Sequence, residues 1–158
     1  MIIELGHFSL ILALATVIIQ AVLPLIGTIR NDRALMAVAP AAAFAGFLLV
    51  LFSFSVLTFA YVVSDFSVAN VWENSHSLKP MIYKISGVWG NHEGSMLLWL
   101  LILVFFSALV ASFGANLPER LRANVLAVQG LISTAFALFI LLTSNPFIRL
   151  SPAPAEGQ

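Results

Sequence analysis

The sequence has no cysteine and very little charge. Without cysteine, the 158-residue chain cannot form disulfides, thiolate metal sites or a cysteine nucleophile. Only 9% of its residues are charged, whereas soluble domains carry about 25%, and 61% are hydrophobic. Seven acidic and seven basic side chains cannot cover a core of this size with a polar surface. With a mean hydropathy of +1.04, the chain is therefore interpreted as an integral membrane protein.

Several functional signatures are also missing. The net charge is zero, so the composition does not indicate nucleic-acid binding. The sequence contains no Gly-rich phosphate loop, no HExxH zinc-protease motif and no GxSxG nucleophile motif. The first hydrophobic segment has Glu4 in place of a basic leader and is long, so it is interpreted as a retained helix rather than a signal peptide.

Charged residues divide the chain into four long apolar segments. Each segment lacks Asp, Glu, Lys and Arg and is longer than the 20 or so residues that cross a hydrocarbon core. None alternates polar and apolar residues as the strands of a membrane barrel do. The sequence therefore predicts an all-α integral membrane protein, a single membrane domain over residues 1–158. Its four or so transmembrane helices are expected at about 7–29, 36–62, 94–114 and 124–143.

The distribution of arginine predicts the orientation of these helices. Four arginines lie in the two short connections, residues 30–33 and 115–122, whereas three basic residues are dispersed over the other side. Because basic residues are enriched in cytoplasmic loops, we expect both arginine connections inside. The N- and C-termini and the loop 64–93 are then expected on the outer, periplasmic side. Only residues 151–158, rich in proline and alanine, are expected to be loosely structured.

Individual polar and small residues within the first two helices have simple structural interpretations. His7 is expected to mark an interfacial helix start, and Gln20 to form a hydrogen bond with a neighbouring helix. Ala42 and Gly46 form a pair of small residues four apart, which allows another helix to approach closely. These residues are therefore assigned to packing rather than to chemistry.

The outer loop concentrates aromatic and histidine residues. It holds Trp72, Tyr83 and Trp89, together with His76 and His92. Trp and Tyr favour the depth of the lipid headgroups, so Trp72 and Tyr83 are interpreted as an interfacial belt. His76 is interpreted as a solvated loop residue.

The end of this loop reads VWGNHEGSMLLW over residues 88–99 and runs into the third predicted helix. Asn91 is typical of an N-cap, and Glu93 would lie in the first turn, where the helix dipole favours a carboxylate. One helix face then carries polar and aromatic groups at positions i, i+3, i+4 and i+7. These are His92, Ser95, Met96 and Trp99.

Two interpretations of this segment stay open: capping and anchoring alone, or a functional site. A single histidine beside a single glutamate is not a metal site, because metal chemistry needs at least three converging ligands. It is not a nucleophile–base pair either, because no third group positions it. No catalytic and no metal-ligating residue is therefore assigned.

The segment resembles a known family. WGNHEGSMLLW at residues 89–99 resembles the WG-x-HEGS-x-LLW signature of CcmF, the membrane haem-lyase subunit of bacterial cytochrome c maturation, and of its NrfE relatives. Further matches are ELG at residues 4–6, VSDFSV at 63–68 and LTSNPF at 142–147. The candidate site residues carried over from the motif, at the outer end of the third helix, are Trp89, Gly90, His92, Glu93, Gly94, Ser95 and Trp99.

The resemblance implies cytochrome c-type biogenesis in the bacterial inner membrane, with covalent attachment of haem to apocytochrome c on the periplasmic face. It implies the lipid bilayer, other maturation subunits, a haem-delivering chaperone and apocytochrome c as partners, and haem as the cofactor. The chain would be the N-terminal part of a longer architecture whose haem-ligating histidines lie outside it; His7, His76 and His92 do not match them. A non-catalytic scaffold that docks maturation partners is the alternative. An ion or proton translocator is less favoured, because the four spans lack charged residues.

Overall fold

The computed structural model describes residues 1–158 and is built from α-helices. Four helices are long and apolar enough to cross a membrane, which confirms the predicted all-α membrane fold. The short helices α4 and α5 lie within the predicted outer loop. In chain order the helices are α1 (Ile2–Arg30), α2 (Arg33–Met36), α3 (Val38–Val63), α4 (Ala69–Asn74), α5 (Met81–Gly87), α6 (His92–Phe113) and α7 (Glu119–Thr143).

The four long helices form a closed ring. α1 packs against α3 and α7, and α6 packs against α3 and α7. Gly130 allows α7 to approach α1 closely, because a Cβ at this position would lie 2.8 Å from the backbone nitrogen of Ala21. Gln20 lies buried in the same interface and donates a hydrogen bond to the carbonyl of Leu126 at 2.8 Å, which confirms the predicted interhelical bond. The predicted close approach at Gly46 is to Val17 of α1.

Both arginine connections lie at the same end of the ring. Arg120 donates to the side chain of Asn31 at 2.6 Å, and Arg33 lies 3.7 Å from the carboxylate of Glu119. The chain can turn sharply here because Asn31 adopts a left-handed conformation (φ 57°) and Asp32 caps α2. The opposite end, called the loop end below, contains the start of α1, the end of α3, the start of α6 and the end of α7, together with α4 and α5.

The chain after α7 folds back over the loop end. The Ala69 amide donates to the carbonyl of Ile148, and the Leu150 amide donates to that of Ser67. Farther along, the Gln158 amide donates to the carbonyl of Trp72 at 2.9 Å. Residues 151–158 are irregular, as expected, but the whole segment 148–158, called the strap below, is tied to the loop by these backbone hydrogen bonds.

Candidate functional site

The start of α6 is fixed by a local cap. The side-chain oxygen of Asn91 accepts a hydrogen bond from the Gly94 amide at 2.8 Å, so the predicted N-cap is confirmed. Glu93 lies in the first turn, as expected. Gly94 is required because a Cβ there would lie 1.6 Å from the carbonyl oxygen of Val88. The GNHEG segment thus makes a tight corner in which the loop backbone lies directly against the helix.

A buried polar network connects this corner to α3 and α4. The amide of Asn91 donates to the Tyr61 hydroxyl at 2.9 Å, and that hydroxyl donates to the side-chain oxygen of Asn70 at 2.7 Å. The amide of Asn70 donates in turn to Asn91 at 2.8 Å and to the carboxylate of Glu93 at 3.1 Å. Tyr61 and Asn70 are buried. The carboxylate of Glu93 is therefore held by Asn70 of α4, which the Tyr61 hydroxyl of α3 holds in turn.

A small polar cavity of about 100 Å³ opens beside Glu93. It is large enough for a few water molecules, each of which occupies about 30 Å³ in the liquid. Two carboxylates and two amides give it hydrogen-bonding groups. Its lining residues are Ala69, Asn70, Glu73, Glu93, Asn145 and Ile148.

The residues that follow α7 contact two of the three histidines. The hydroxyl of Ser144 lies 3.3 Å from Nδ1 of His92, and the amide of Asn145 lies 3.1 Å from Nε2 of His7. The ring of His7 also stacks on Phe147, with ring centroids 6.0 Å apart. The LTSNPF segment thus places the imidazoles of α1 and α6 on either side of one short stretch of chain.

A charged cluster completes the loop end. Arg149 lies 3.2 Å from the carboxylate of Glu4 in α1 and 3.2 Å from that of Asp65, which follows α3. It also donates to the Ser67 hydroxyl at 2.6 Å. The four segments that resembled the family in sequence therefore meet at this end of the ring.

The remaining motif residues are less closely integrated. Trp89 and Gly90 are exposed, and Trp99 is 60% exposed on the outer surface of the bundle. The Ser95 hydroxyl donates to the carbonyl of His92 within its own helix. Of the predicted stripe on α6, the imidazole of His92 forms the polar contact with another element, and Met96 packs on the core.

Sequence reasoning missed Tyr61, Asn70, Ser144 and Asn145. Two of them, Ser144 and Asn145, lie in the LTSNPF match. That match indicated that the segment matters but assigned no role to its residues. Tyr61 and Asn70 carried no local pattern that distinguishes a buried network from a surface tyrosine and a loop asparagine.

Comparisons with known proteins identify the family. The sequence profile described as Cytochrome C assembly protein matches residues 89–156. The cytochrome c-type biogenesis protein CycK of Rhizobium meliloti is 75% identical over all 158 residues, which cover 23% of its length. CcmF of Pseudomonas aeruginosa is 52% identical over the whole chain, which covers 24% of that protein. A solved structure named Cytochrome c Heme Lyase CcmF superposes with a TM-score of 0.87 and 28% identity, over 96% of this chain and 26% of that one.

The fold is thus that of a multi-pass membrane protein whose whole sequence is similar to cytochrome c-type biogenesis proteins. The chain belongs to the CcmF-type family and corresponds to an N-terminal portion of such a protein. It spans about a quarter of the length of the curated relatives that it matches.

The residues of this chain do not fit a haem-ligating site. Each histidine has a separate contact: His7 with Asn145, His92 with Ser144, and His76 with the amide of Leu78. The cavity beside His7 measures about 180 Å³ and the apolar one beside Met96 about 260 Å³, below the 300 Å³ or so at which ligand pockets begin.

Proposed function

We propose that the chain takes part in cytochrome c maturation, as part of a membrane haem-lyase assembly that attaches haem covalently to apocytochrome c. The observation that carries this proposal is the 75% identity to a cytochrome c-type biogenesis protein, without a gap in coverage of the chain. The structural match to a haem lyase over 96% of the chain supports the same conclusion. The assembly would lie in the bacterial inner membrane, with its functional face in the periplasm.

Within that assembly, the chain would support the rim of the reaction chamber. The support is geometric: four segments from distant parts of the chain meet at the loop end, and Asn70 holds the Glu93 carboxylate toward a small polar cavity. Haem would be supplied by a chaperone and bound by other parts of the assembly. His92 and Glu93, at the rim, would then help to position apocytochrome c or haem.

A non-catalytic scaffold is the second candidate. It is favoured by the fact that the polar groups of the loop end are largely occupied with each other: Asn91 bonds to Tyr61 and Gly94, and His92 contacts Ser144. Groups engaged in this way hold α3, α4, α6 and the end of α7 together. On this interpretation the motif keeps a docking surface in shape and takes no part in the chemistry.

Substitutions at the rim test the proposal in the complete maturation system. His92→Ala and Glu93→Ala are each expected to lower the yield of holocytochrome c while the protein stays in the membrane at near-normal levels. Loss of one hydrogen bond costs about 1 kcal/mol, which is too little to remove four helices from a bilayer. Covalent haem in the cytochrome, stained after denaturing electrophoresis, gives the yield.

Two variants serve as controls. Glu73→Ala removes the other carboxylate of the same cavity, which is exposed and has no hydrogen-bond partner, and should mature cytochrome c normally. Glu93→Gln keeps an oxygen that can accept from Asn70 but removes the charge, so it separates positioning from electrostatics. Wild-type yields of holocytochrome c from both His92→Ala and Glu93→Ala would establish the scaffold instead.

A further inference from the structure

The helix α5 presents its apolar side away from the protein. Ile82 and Ile85 lie three apart on the outer side of α5, with Leu78 just before the helix and Trp89 just after it. In this apolar stripe, Leu78 and Ile82 are 86% and 71% exposed. The opposite side carries Lys84, which is only 8% exposed. This polarity is the reverse of that of a helix on a water-exposed surface, where the apolar side faces the core.

Two contacts of the inner side fix the depth of α5 along the bundle. The ammonium group of Lys84 donates to the hydroxyl of Ser64, the C-cap of α3, at 2.7 Å. Gly87 lies against the ring of Tyr61, one turn before that cap, where a Cβ would be 3.3 Å from Cε1. α5 therefore lies beside the last turn of α3.

Centred in a bilayer, α3 would place its last turn at the depth of the lipid headgroups. Its 26 residues make a helix about 39 Å long, whereas the hydrocarbon core is about 30 Å thick and the bilayer with its headgroups about 40–45 Å. Roughly 5 Å of helix at each end then extends into the headgroup region. An apolar stripe that packs beside this turn faces the boundary between headgroups and acyl chains, not bulk water.

The charges and aromatic residues of the segment match a phospholipid surface. Residues 77–92 contain no Asp or Glu, and their charged residues are Lys79 and Lys84. Lys79 is exposed, and its ammonium group, which donates to the carbonyl of Asn74 at 2.8 Å, adds a positive charge suited to anionic phosphate groups. Tyr83 is 62% exposed, and Trp89 is 43% exposed, which suits rings that favour headgroup depth.

We infer that α5 is an interfacial helix: its Ile82 and Ile85 side chains, with those of the flanking Leu78 and Trp89, insert among the phospholipids of the leaflet at the loop end. Such a helix anchors the loop that carries the Asn70–Asn91 network at a constant height above the hydrocarbon. The inference concerns the bilayer as the partner and does not depend on which reaction the assembly performs.

Fluorescent labels on the complete protein in lipid nanodiscs test this inference. An environment-sensitive dye is attached to a cysteine at Ile82 or, as an aqueous control, at Ala153, which is exposed on the strap. The dye at Ile82 should show blue-shifted emission and lose fluorescence when lipids with a shallow nitroxide are included. The dye at Ala153 should lose fluorescence only to a water-soluble quencher.

Two results would overturn the inference. A dye at Ile82 that emits as in water, and that only the soluble quencher reaches, would place α5 outside the bilayer. A blue-shifted dye at Ile82 that neither quencher reaches would show that another protein segment covers the stripe. A second label at Leu78, on the same stripe, distinguishes these results from a local disturbance at residue 82.

Discussion

Gly94 shows how strongly one residue constrains the corner between the outer loop and α6. A methyl group at this position would overlap the carbonyl oxygen of Val88, 1.6 Å away, and this atom belongs to the backbone and not to the end of a flexible side chain. Asn91 caps the same turn from the other side. The corner therefore depends on the absence of a side chain as much as on the presence of the cap.

Gly94→Ala should accordingly destabilise the protein, by about 1–3 kcal/mol if it behaves as an overpacked site. The melting temperature in detergent and the amount of folded protein in the membrane measure the effect. Gly46→Ala is the matched control, because its Cβ would meet Val17 at 3.4 Å, an ordinary contact. Equal melting temperatures for the two variants would show that the loop backbone shifts away from α6 without cost.

The residue contacts that the sequence predicted are the local ones. The cap at Asn91 and the position of Glu93 follow from residues within one turn, where sequence spacing alone determines which groups are in contact. Asn70 reaches Glu93 across 23 positions, and Asn145 reaches His7 across 138. Such pairs depend on how α4 and the end of α7 pack, which no spacing rule within a single segment specifies.

Among the elements, the strap has a titratable attachment to the outer loop. The hydroxyl and the amide of Ser77 both donate to the carboxylate of Glu156, at 2.6 and 2.9 Å. These bonds, together with the Gly157 amide and the nearby His76, lower the pKa of Glu156 from an ordinary 4.5 to about 2. The ionised carboxylate thus favours the docked strap.

A lowered pKa means that this contribution is complete above about pH 4.5 and is lost as the pH falls toward 2. At neutral pH, Glu156→Gln should therefore loosen the strap, and the Ser77 and Gly157 amides should exchange with deuterium faster than in the unsubstituted protein. The amide of Leu150, which is bonded to Ser67, provides an internal reference. Unchanged exchange at Ser77 would mean that the backbone bonds alone hold the strap.

The long elements were predictable, and the short ones were not. Four charge-free runs are sufficient to predict four membrane helices, because the bilayer demands both length and apolarity. α5 has seven residues, too few for a periodic signal, and its apolar side faces outward. The strap resembled a flexible end in composition, but its backbone groups are bonded to the loop, and this pairing depends on the tertiary fold.

For the whole molecule, the ring places both arginine connections together, so one experiment determines the orientation of all four helices. We expect the arginine end in the cytoplasm. Ser77→Cys, at the loop end, should react with a membrane-impermeant thiol reagent in intact cells, and Asn116→Cys, at the arginine end, should react only after permeabilisation. Both positions are exposed, so burial does not account for a difference. The reverse pattern would invert the topology.

The contact between the first and last helices also has a consequence for biosynthesis. Gln20 is made early, but its acceptor at Leu126 follows 106 residues later. While the ribosome supplies those residues, the amide of Gln20 faces lipid or the insertion machinery without its final partner, and α1 and α3 can pair first as a hairpin. Seating of α7 against Ala21, through Gly130, is then the step that closes the ring and gives Gln20 its bond. The Gln20–Leu126 bond and the contact of α7 with α1 can thus form only after α7 has been synthesised.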